Sequence, residues 1–64
     1  MKMHVPEMSC GHCTAAIKKE IESLDRDAIV TTDLEERTVE VTTSQAADAV
    51  IGAIKAAGYE AAPI

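Results

Sequence analysis

The chain has 64 residues, a mass of 6.8 kDa and a formal net charge of −5 at pH 7, which is the size of one small domain, and we expect a single domain over residues 1–64. Aromatic residues make up only 2% of the chain, with Tyr59 as the single example, so the core has to be aliphatic. The negative charge and the scarcity of aromatic rings exclude a phosphate-binding groove and a base-stacking platform, and we expect no nucleic-acid partner.

The first part of the chain predicts a strand, a loop and a helix. Met1, Met3 and Val5 alternate with polar residues, which is the period of a half-buried strand, and Pro6 ends the strand because proline cannot donate to a strand ladder. A loop over residues 7–11 follows. The next helix ends near Asp25, and its apolar residues recur on one helical face: Cys13, Ile17, Ile21 and Leu24.

The middle of the chain predicts a β-hairpin over residues 28–43. In its first strand Ala28, Val30, Thr32 and Leu34 alternate with Ile29, Thr31 and Asp33, and in the second Val39 and Val41 alternate with polar residues. The turn between the strands is charged, over residues 35–37, and lacks the usual Asn-Gly pair.

A second helix and a short strand complete the chain. Ser44 is a favourable N-cap residue, Gly58 suits the position just after the helix, and the residues between them share one apolar face: Ala47, Val50, Ile51, Ile54 and Ala57. Residues 59–64 are too few for another helix and predict a final strand, in which Pro63 is tolerable at a sheet edge.

The predicted order of elements is βαββαβ. Because each helix follows a strand and returns to the same sheet, this order predicts an α+β, ferredoxin-like sandwich with an antiparallel four-stranded sheet and two helices on one face. The loop between the first strand and the first helix then lies at one end of the sheet.

That loop carries both cysteines, in the sequence Met8-Ser9-Cys10-Gly11-His12-Cys13. The helical period places Cys13 at the head of the buried stripe and leaves Cys10 in the loop before the helix, so Cys13 is predicted to be the more sheltered thiol. Both thiols lie near the positive end of the helix dipole, which favours thiolate over thiol.

The number of thiols limits which metal ions the site can bind. A structural zinc site needs four ligands, and this chain provides only half of that set. A monovalent soft ion such as Cu(I) or Ag(I) accepts two thiolates, so the site is complete for that class of ion. An open two-thiolate site also allows a third thiolate to enter before one leaves, and an ion shared by two copies would turn a metal-free monomer into a dimer.

Three other functions use the same residues differently. Cys-Gly-His-Cys at the head of a helix also occurs in disulfide isomerases, although thioredoxin-like domains are longer and usually have an aromatic residue before the first cysteine and a cis-proline facing the pair. Here Met8 and Ser9 precede the pair, and the only later proline is Pro63. A sensing or detoxifying module for Hg, Ag, Cd or Zn, and a domain that only binds a partner, are the remaining alternatives.

The motif Met-x-Cys-x-x-Cys between the first strand and the first helix resembles that of the heavy-metal-associated domain family, in particular its small bacterial copper chaperones. The resemblance covers essentially the whole chain, and Gly58-Tyr59 is similar to the Gly-Tyr that often ends the second helix in bacterial members. It implies that Cys10 and Cys13 are the Cu(I) ligands, that Met8 packs under the loop, and that Tyr59 lies beside the metal. It also implies a non-enzymatic carrier that delivers copper by ligand exchange to the metal-binding domain of a copper-transporting P-type ATPase.

The other motif residues also have ordinary structural explanations. Met8 can fill a gap in the core, and Tyr59 can cap the edge of the core. His12 is an auxiliary ligand, a residue that tunes thiolate basicity, or an exposed loop residue, and the resemblance implies that a histidine here influences copper affinity or metal-bridged association. His4 is expected on the surface, on the face opposite to Met3.

Location and partner follow from charge and hydropathy. No segment approaches the roughly 18 apolar residues of a membrane span, and residues 1–6 lack the apolar centre of a signal peptide. We therefore expect a cytoplasmic protein without direct membrane insertion. A partner recognised through charge should present a basic face to this acidic chain.

Overall fold

The computed structural model describes all 64 residues, which form four strands and two helices in the predicted order. These elements are β1 (Lys2–His4), α1 (Gly11–Leu24), β2 (Ile29–Asp33), β3 (Thr38–Thr42), α2 (Ala47–Ala56) and β4 (Ala62–Pro63). The strands form one antiparallel sheet in the order β2-β3-β1-β4. The predicted α+β, ferredoxin-like sandwich is thus confirmed. Neither α1 nor α2 combines the length and the apolar composition that a membrane span requires.

One aliphatic core joins both helices to one face of the sheet. It contains no aromatic ring, as the composition requires, and the half-buried Tyr59 packs against its edge. The core has ten buried residues, namely Met3, Val5, Met8, Cys13, Ile17, Ile21, Val39, Val41, Val50 and Ile54. Met8 and Cys13 come from the cysteine motif, so the motif is built directly onto the core.

The start of α2 differs from the prediction. Ser44 was the expected N-cap, but the N-cap is Ala46, and Ser44 is exposed. The turn after β3 is held instead by Thr43, whose hydroxyl donates to the carboxylate of Asp25 and accepts a hydrogen bond from the backbone N–H of Gln45 at 3.2 Å. These contacts use the residues just after β3 for a turn, so helical geometry begins two residues later than a Ser44 cap would require.

The end of α2 is as predicted. Gly58 has a φ of +97°, in the left-handed region that favours glycine. Its N–H donates to the carbonyl of Lys55 at 2.9 Å, and the N–H of Tyr59 donates to the carbonyl of Ile54 at 3.2 Å. This pair of bonds is a Schellman motif, which ends the helix and fixes the direction of the next residue. The conformation of Gly58 therefore determines where Tyr59 lies.

The β2–β3 hairpin has a tight, hydrogen-bonded turn. The carboxylate of Asp33 accepts hydrogen bonds from the backbone N–H groups of Glu35 and Glu36 at 3.0 and 3.1 Å. Arg37 closes the turn with a φ of 57°. Leu34, predicted to lie in the first strand of the hairpin, lies in this turn instead, because β2 ends at Asp33, and it is 42% exposed.

The final strand is shorter than residues 59–64, since only Ala62–Pro63 pair with β1. Pro63 lies opposite Met3 at the edge of the sheet, where no further strand needs its missing N–H.

Candidate metal centre

The cysteine motif forms the connection between β1 and α1. Just after β1, the N–H of Met8 donates to the carbonyl of Val5 at 3.0 Å, which turns the chain toward the helix. Met8 is fully buried beneath the connection. Cys10 is the N-cap of α1, with an extended backbone, and its carbonyl accepts hydrogen bonds from the N–H groups of Cys13 and Thr14 at 3.1 and 3.3 Å.

These constraints bring the two thiols together. The Sγ atoms of Cys10 and Cys13 are 3.1 Å apart, and both cysteines are free. Residues three apart at a helix start lie on the same side of the helix, which explains their convergence. Cys10 is exposed, whereas Cys13 is only 8% exposed and belongs to the core. The predicted difference in shelter between the two thiols is therefore confirmed.

The electrostatic setting favours a thiolate at Cys13. The first turn of α1 contains no acidic residue, so no carboxylate offsets the positive end of the helix dipole there. The pKa of the Cys13 thiol is lowered from 9.0 to about 7. Hydrogen bonding with the Tyr59 hydroxyl is the largest cause, followed by backbone hydrogen bonding at Ser9 and the thiol of Cys10, while burial acts in the opposite direction. A substantial thiolate fraction is thus present at neutral pH.

The pKa of Tyr59 is shifted in the direction opposite to that of Cys13. Its pKa is raised, first by the hydrogen bond with Cys13 and then by burial and the nearby negative charges of Cys13, Cys10 and Glu7. The tyrosine therefore stays protonated at neutral pH. The Schellman motif at Gly58 holds it in this place, which links the end of α2 to the start of α1.

The two histidines differ in their exposure to solvent. His12 is exposed, and no third His, Cys, Asp or Glu side chain joins the two thiols in a metal-binding cluster. His4 is half-buried rather than fully on the surface, because β1 is a central strand and places it between Thr38 and Ala62. Met8 contributes packing beneath the site.

One residue near the site has no signal in the sequence. The guanidinium of Arg37 donates from Nη1 to the carbonyl of Pro6 at 2.8 Å. Pro6 lies at the beginning of the connection between β1 and α1, residues 5–10, which we call the metal loop. The two residues are 31 positions apart, and an arginine in a charged turn gives no local sign of such a contact.

One exposed thiol at the N-cap of α1 and one sheltered thiol in its first turn suit the binding of a soft metal ion, and with the ferredoxin-like fold they point to a metal-carrying domain. The model of the family described as "Heavy-metal-associated domain" matches residues 2–60, and the chain belongs to that family. The metallochaperones of this family are non-enzymatic metal carriers, and this holds for the present chain.

Solved structures agree closely with this fold. Copper chaperone Atx1 from Synechocystis PCC6803, in its Cu2 form, is 29% identical over 97% of this chain and 98% of its own, with a TM-score of 0.94. A gold binding protein is 39% identical over 95% of this chain and 94% of its own, with a TM-score of 0.91. The CopZ metallochaperone is 27% identical over 97% of both chains, with a TM-score of 0.86. A comparison with curated proteins gives no significant match.

Proposed function

We propose that this protein is a Cu(I) metallochaperone in which Cys10 and Cys13 bind one ion as its cargo. The observation that supports this most directly is the convergence of two free thiols, 3.1 Å apart, at the uncompensated positive end of α1. Thiolates are the ligands that Cu(I) prefers, and two are sufficient for it. The similarity to a copper chaperone of Synechocystis PCC6803 supports copper as the cargo.

The unequal burial of the thiols suggests how the ion is transferred. Metal–thiolate bonds are roughly 2.3 Å long in zinc sites, and a linear S–Cu–S arrangement with bonds of similar length holds its sulfurs farther apart than the 3.1 Å between these two Sγ atoms, so the thiols separate on loading. Cys10 is exposed and free to move outward, whereas Cys13 is held in the core. A partner thiolate then enters on the Cys10 side as a third ligand, Cys10 leaves, and Cys13 releases the ion last.

The proposed partner is the metal-binding domain of a copper-transporting P-type ATPase with a matching cysteine pair. The formal charge of −5 suits a domain that presents a basic face to this one. We place this exchange in the cytoplasm. The metal-free protein is proposed to be a monomer, and an ion shared between the Cys10–Cys13 pairs of two copies would bridge a dimer.

Competition with a Cu(I) chelator tests the ligands. Under anaerobic, reducing conditions the wild type should retain one Cu(I) per chain against a chelator that strips both Cys10→Ser and Cys13→Ser. Ser9→Ala, a change at an exposed neighbour in the same loop, is the matched control and should behave as the wild type. Unchanged competition in either serine variant would refute the ligand assignment.

Transfer to a partner domain tests the proposed order of release. Cys10→Ser should slow transfer more than Cys13→Ser under conditions in which both variants still hold some metal. Equal impairment would remove the proposed order while leaving the ligands intact.

A different soft metal is the second candidate cargo, because a gold binding protein shares 39% identity with this chain. Two thiolates also suit Ag(I) and Hg(II), whereas Cd(II) and Zn(II) generally require more ligands. Titration of reduced protein with each ion, together with mass spectrometry of protein purified from copper-supplemented cells, would identify the metal and its stoichiometry. A preference for another ion over Cu(I) would replace copper as the cargo.

A further inference from the structure

Arg37 has an unusual backbone for a large side chain. It is the only non-glycine residue with a positive φ, at 57°, in the closing position of the β2–β3 turn. Glycine or asparagine adopts this left-handed conformation with less strain. A strained residue that persists often has a second role, so the contacts of Arg37 are informative.

Those contacts lead to the metal loop. The carbonyl of Arg37 accepts a hydrogen bond from the N–H of Val5 at 2.8 Å, and its guanidinium donates to the carbonyl of Pro6 at 2.8 Å. Together these two hydrogen bonds hold Val5 and Pro6, which directly follow β1 and begin the loop. The next turn is built on the same residues, since the N–H of Met8 donates to the carbonyl of Val5.

The loop is otherwise held from inside and from its far end. Met8 anchors it in the core, and the hydroxyl of Thr14 donates to the carbonyl of Gly11 at 2.8 Å. Pro6, Glu7, Ser9 and Cys10 are exposed. On the exposed side, the guanidinium of Arg37 makes the one side-chain hydrogen bond to the entry of the loop.

We infer that Arg37 is a positioning residue for the metal site: it fixes the entry of the loop and so keeps Cys10 within reach of Cys13. This inference rests on the proposed binding of Cu(I) by those two thiols. Loss of the guanidinium leaves the first half of the loop anchored only by the buried Met8 side chain and by backbone hydrogen bonds at Val5. The Cys10 side then opens more readily, and a competing ligand reaches the ion sooner.

Arg37→Gly separates this role from a merely structural one. Glycine relieves the left-handed backbone and keeps the backbone bond to Val5, so the fold should be no less stable. The same substitution removes the bond to Pro6 and should loosen the site. A residue that only stabilised the hairpin would change folding stability and metal exchange in the same direction.

The experiment compares Arg37→Gly and Arg37→Lys with Arg26→Gly, which removes the same charge from an exposed turn. A chromogenic Cu(I) chelator should remove the ion from Arg37→Gly about fivefold faster than from the wild type, as expected for one lost hydrogen bond. Removal of the ion from Arg37→Lys should be slower than from Arg37→Gly but faster than from the wild type. Removal from Arg26→Gly should proceed at the wild-type rate. Denaturant unfolding should show no loss of stability in Arg37→Gly. Amide exchange at Met8 should accelerate in metal-free Arg37→Gly.

The outcomes separate the two proposals. If the wild type holds Cu(I) and Arg37→Gly releases it at the rate of Arg26→Gly, the role of Arg37 is refuted. If the wild type holds no Cu(I), the proposed cargo is wrong, and amide exchange at Met8 decides the role of Arg37 in the loop. Amide exchange at Met8 that is faster in Arg37→Gly but not in Arg26→Gly supports that role. Exchange in Arg37→Gly at the wild-type rate overturns it.

Discussion

The two helices begin in different ways. Neither N-cap residue, Cys10 of α1 or Ala46 of α2, makes a side-chain capping hydrogen bond. The first turn of α2 contains Asp48, whereas the first turn of α1 contains no acidic residue. A carboxylate in this position stabilises a helix by offsetting its dipole. The start of α1 lacks that stabilisation and leaves its positive end to two thiols, which favours metal binding over helix stability.

The two starts are also supported by different interactions. Beneath the start of α1 lie Met8 and Cys13, both members of the buried core. Near the start of α2, Thr43 bonds the carboxylate of Asp25 and the backbone of Gln45. Asp25 has a lowered pKa, chiefly because of the Thr43 hydroxyl and then the backbone at Asp27. The metal site therefore rests on packing, while the opposite end of the domain rests on polar contacts.

The largest effect is expected from removing that packing. Met8→Ala should lower the free energy of unfolding by about 2–5 kcal/mol, because it leaves a cavity under the metal loop. Met1→Ala is the matched control, since Met1 is 42% exposed, and it should change stability by less than about 0.5 kcal/mol. Denaturant unfolding of metal-free protein measures both. Equal losses in the two variants would show that packing does not support the start of α1.

The next effect is on the pKa of Cys13. Tyr59→Phe keeps the ring but removes the hydroxyl, so the pKa of Cys13 should move from about 7 back toward its ordinary 9.0. Ultraviolet absorbance of the thiolate, followed against pH in reduced metal-free protein, measures this. A titration that is the same as in the wild type would mean that the dipole of α1, and not Tyr59, activates the thiol.

The same shift predicts a pH dependence of stability. Because the pKa of Cys13 is lower in the folded protein than its ordinary value of 9.0, its contribution to stability is full above pH 9 and is lost as pH falls through about 7. The free energy of unfolding should therefore rise with pH across this window in the wild type and less so in Tyr59→Phe. The raised pKa of Tyr59 has the opposite effect, and it acts above pH 10.

Local sequence signals predicted much of this architecture. Periodicity identified the buried stripe of α1 and the unequal shelter of the thiols, and Gly58 indicated the end of α2. The N-cap of α2 was wrong because Thr43, bonded to Asp25 at a distance of 18 residues, governs that turn. The contact between Arg37 and Pro6 spans 31 residues and was equally invisible. The strands and helices follow from neighbours in sequence, whereas the supports of the site depend on side chains that only the fold brings together.

A carboxylate placed in α1 would make the two starts alike. His12→Glu adds an acidic residue to the first turn and should stabilise the helix by about 0.3–1 kcal/mol. The same charge should raise the pKa of Cys13 and slow its alkylation at neutral pH. His12→Gln removes the imidazole without adding charge and should leave both properties near those of the wild type. Faster alkylation of the glutamate variant would contradict the proposed use of the helix dipole.

The smallest effect is expected from removing the carboxylate of α2. Asp48→Asn should lower the free energy of unfolding by about 0.3–1 kcal/mol at low ionic strength, because the positive end of α2 loses its compensating charge. The loss should shrink as salt is added, since exposed charges are screened. Cu(I) retention against a chelator should remain that of the wild type, because Asp48 lies at the start of α2, away from the thiols. A matching loss of copper would mean that the two helix starts are coupled, and that the acidic residue of α2 contributes to the site at the start of α1.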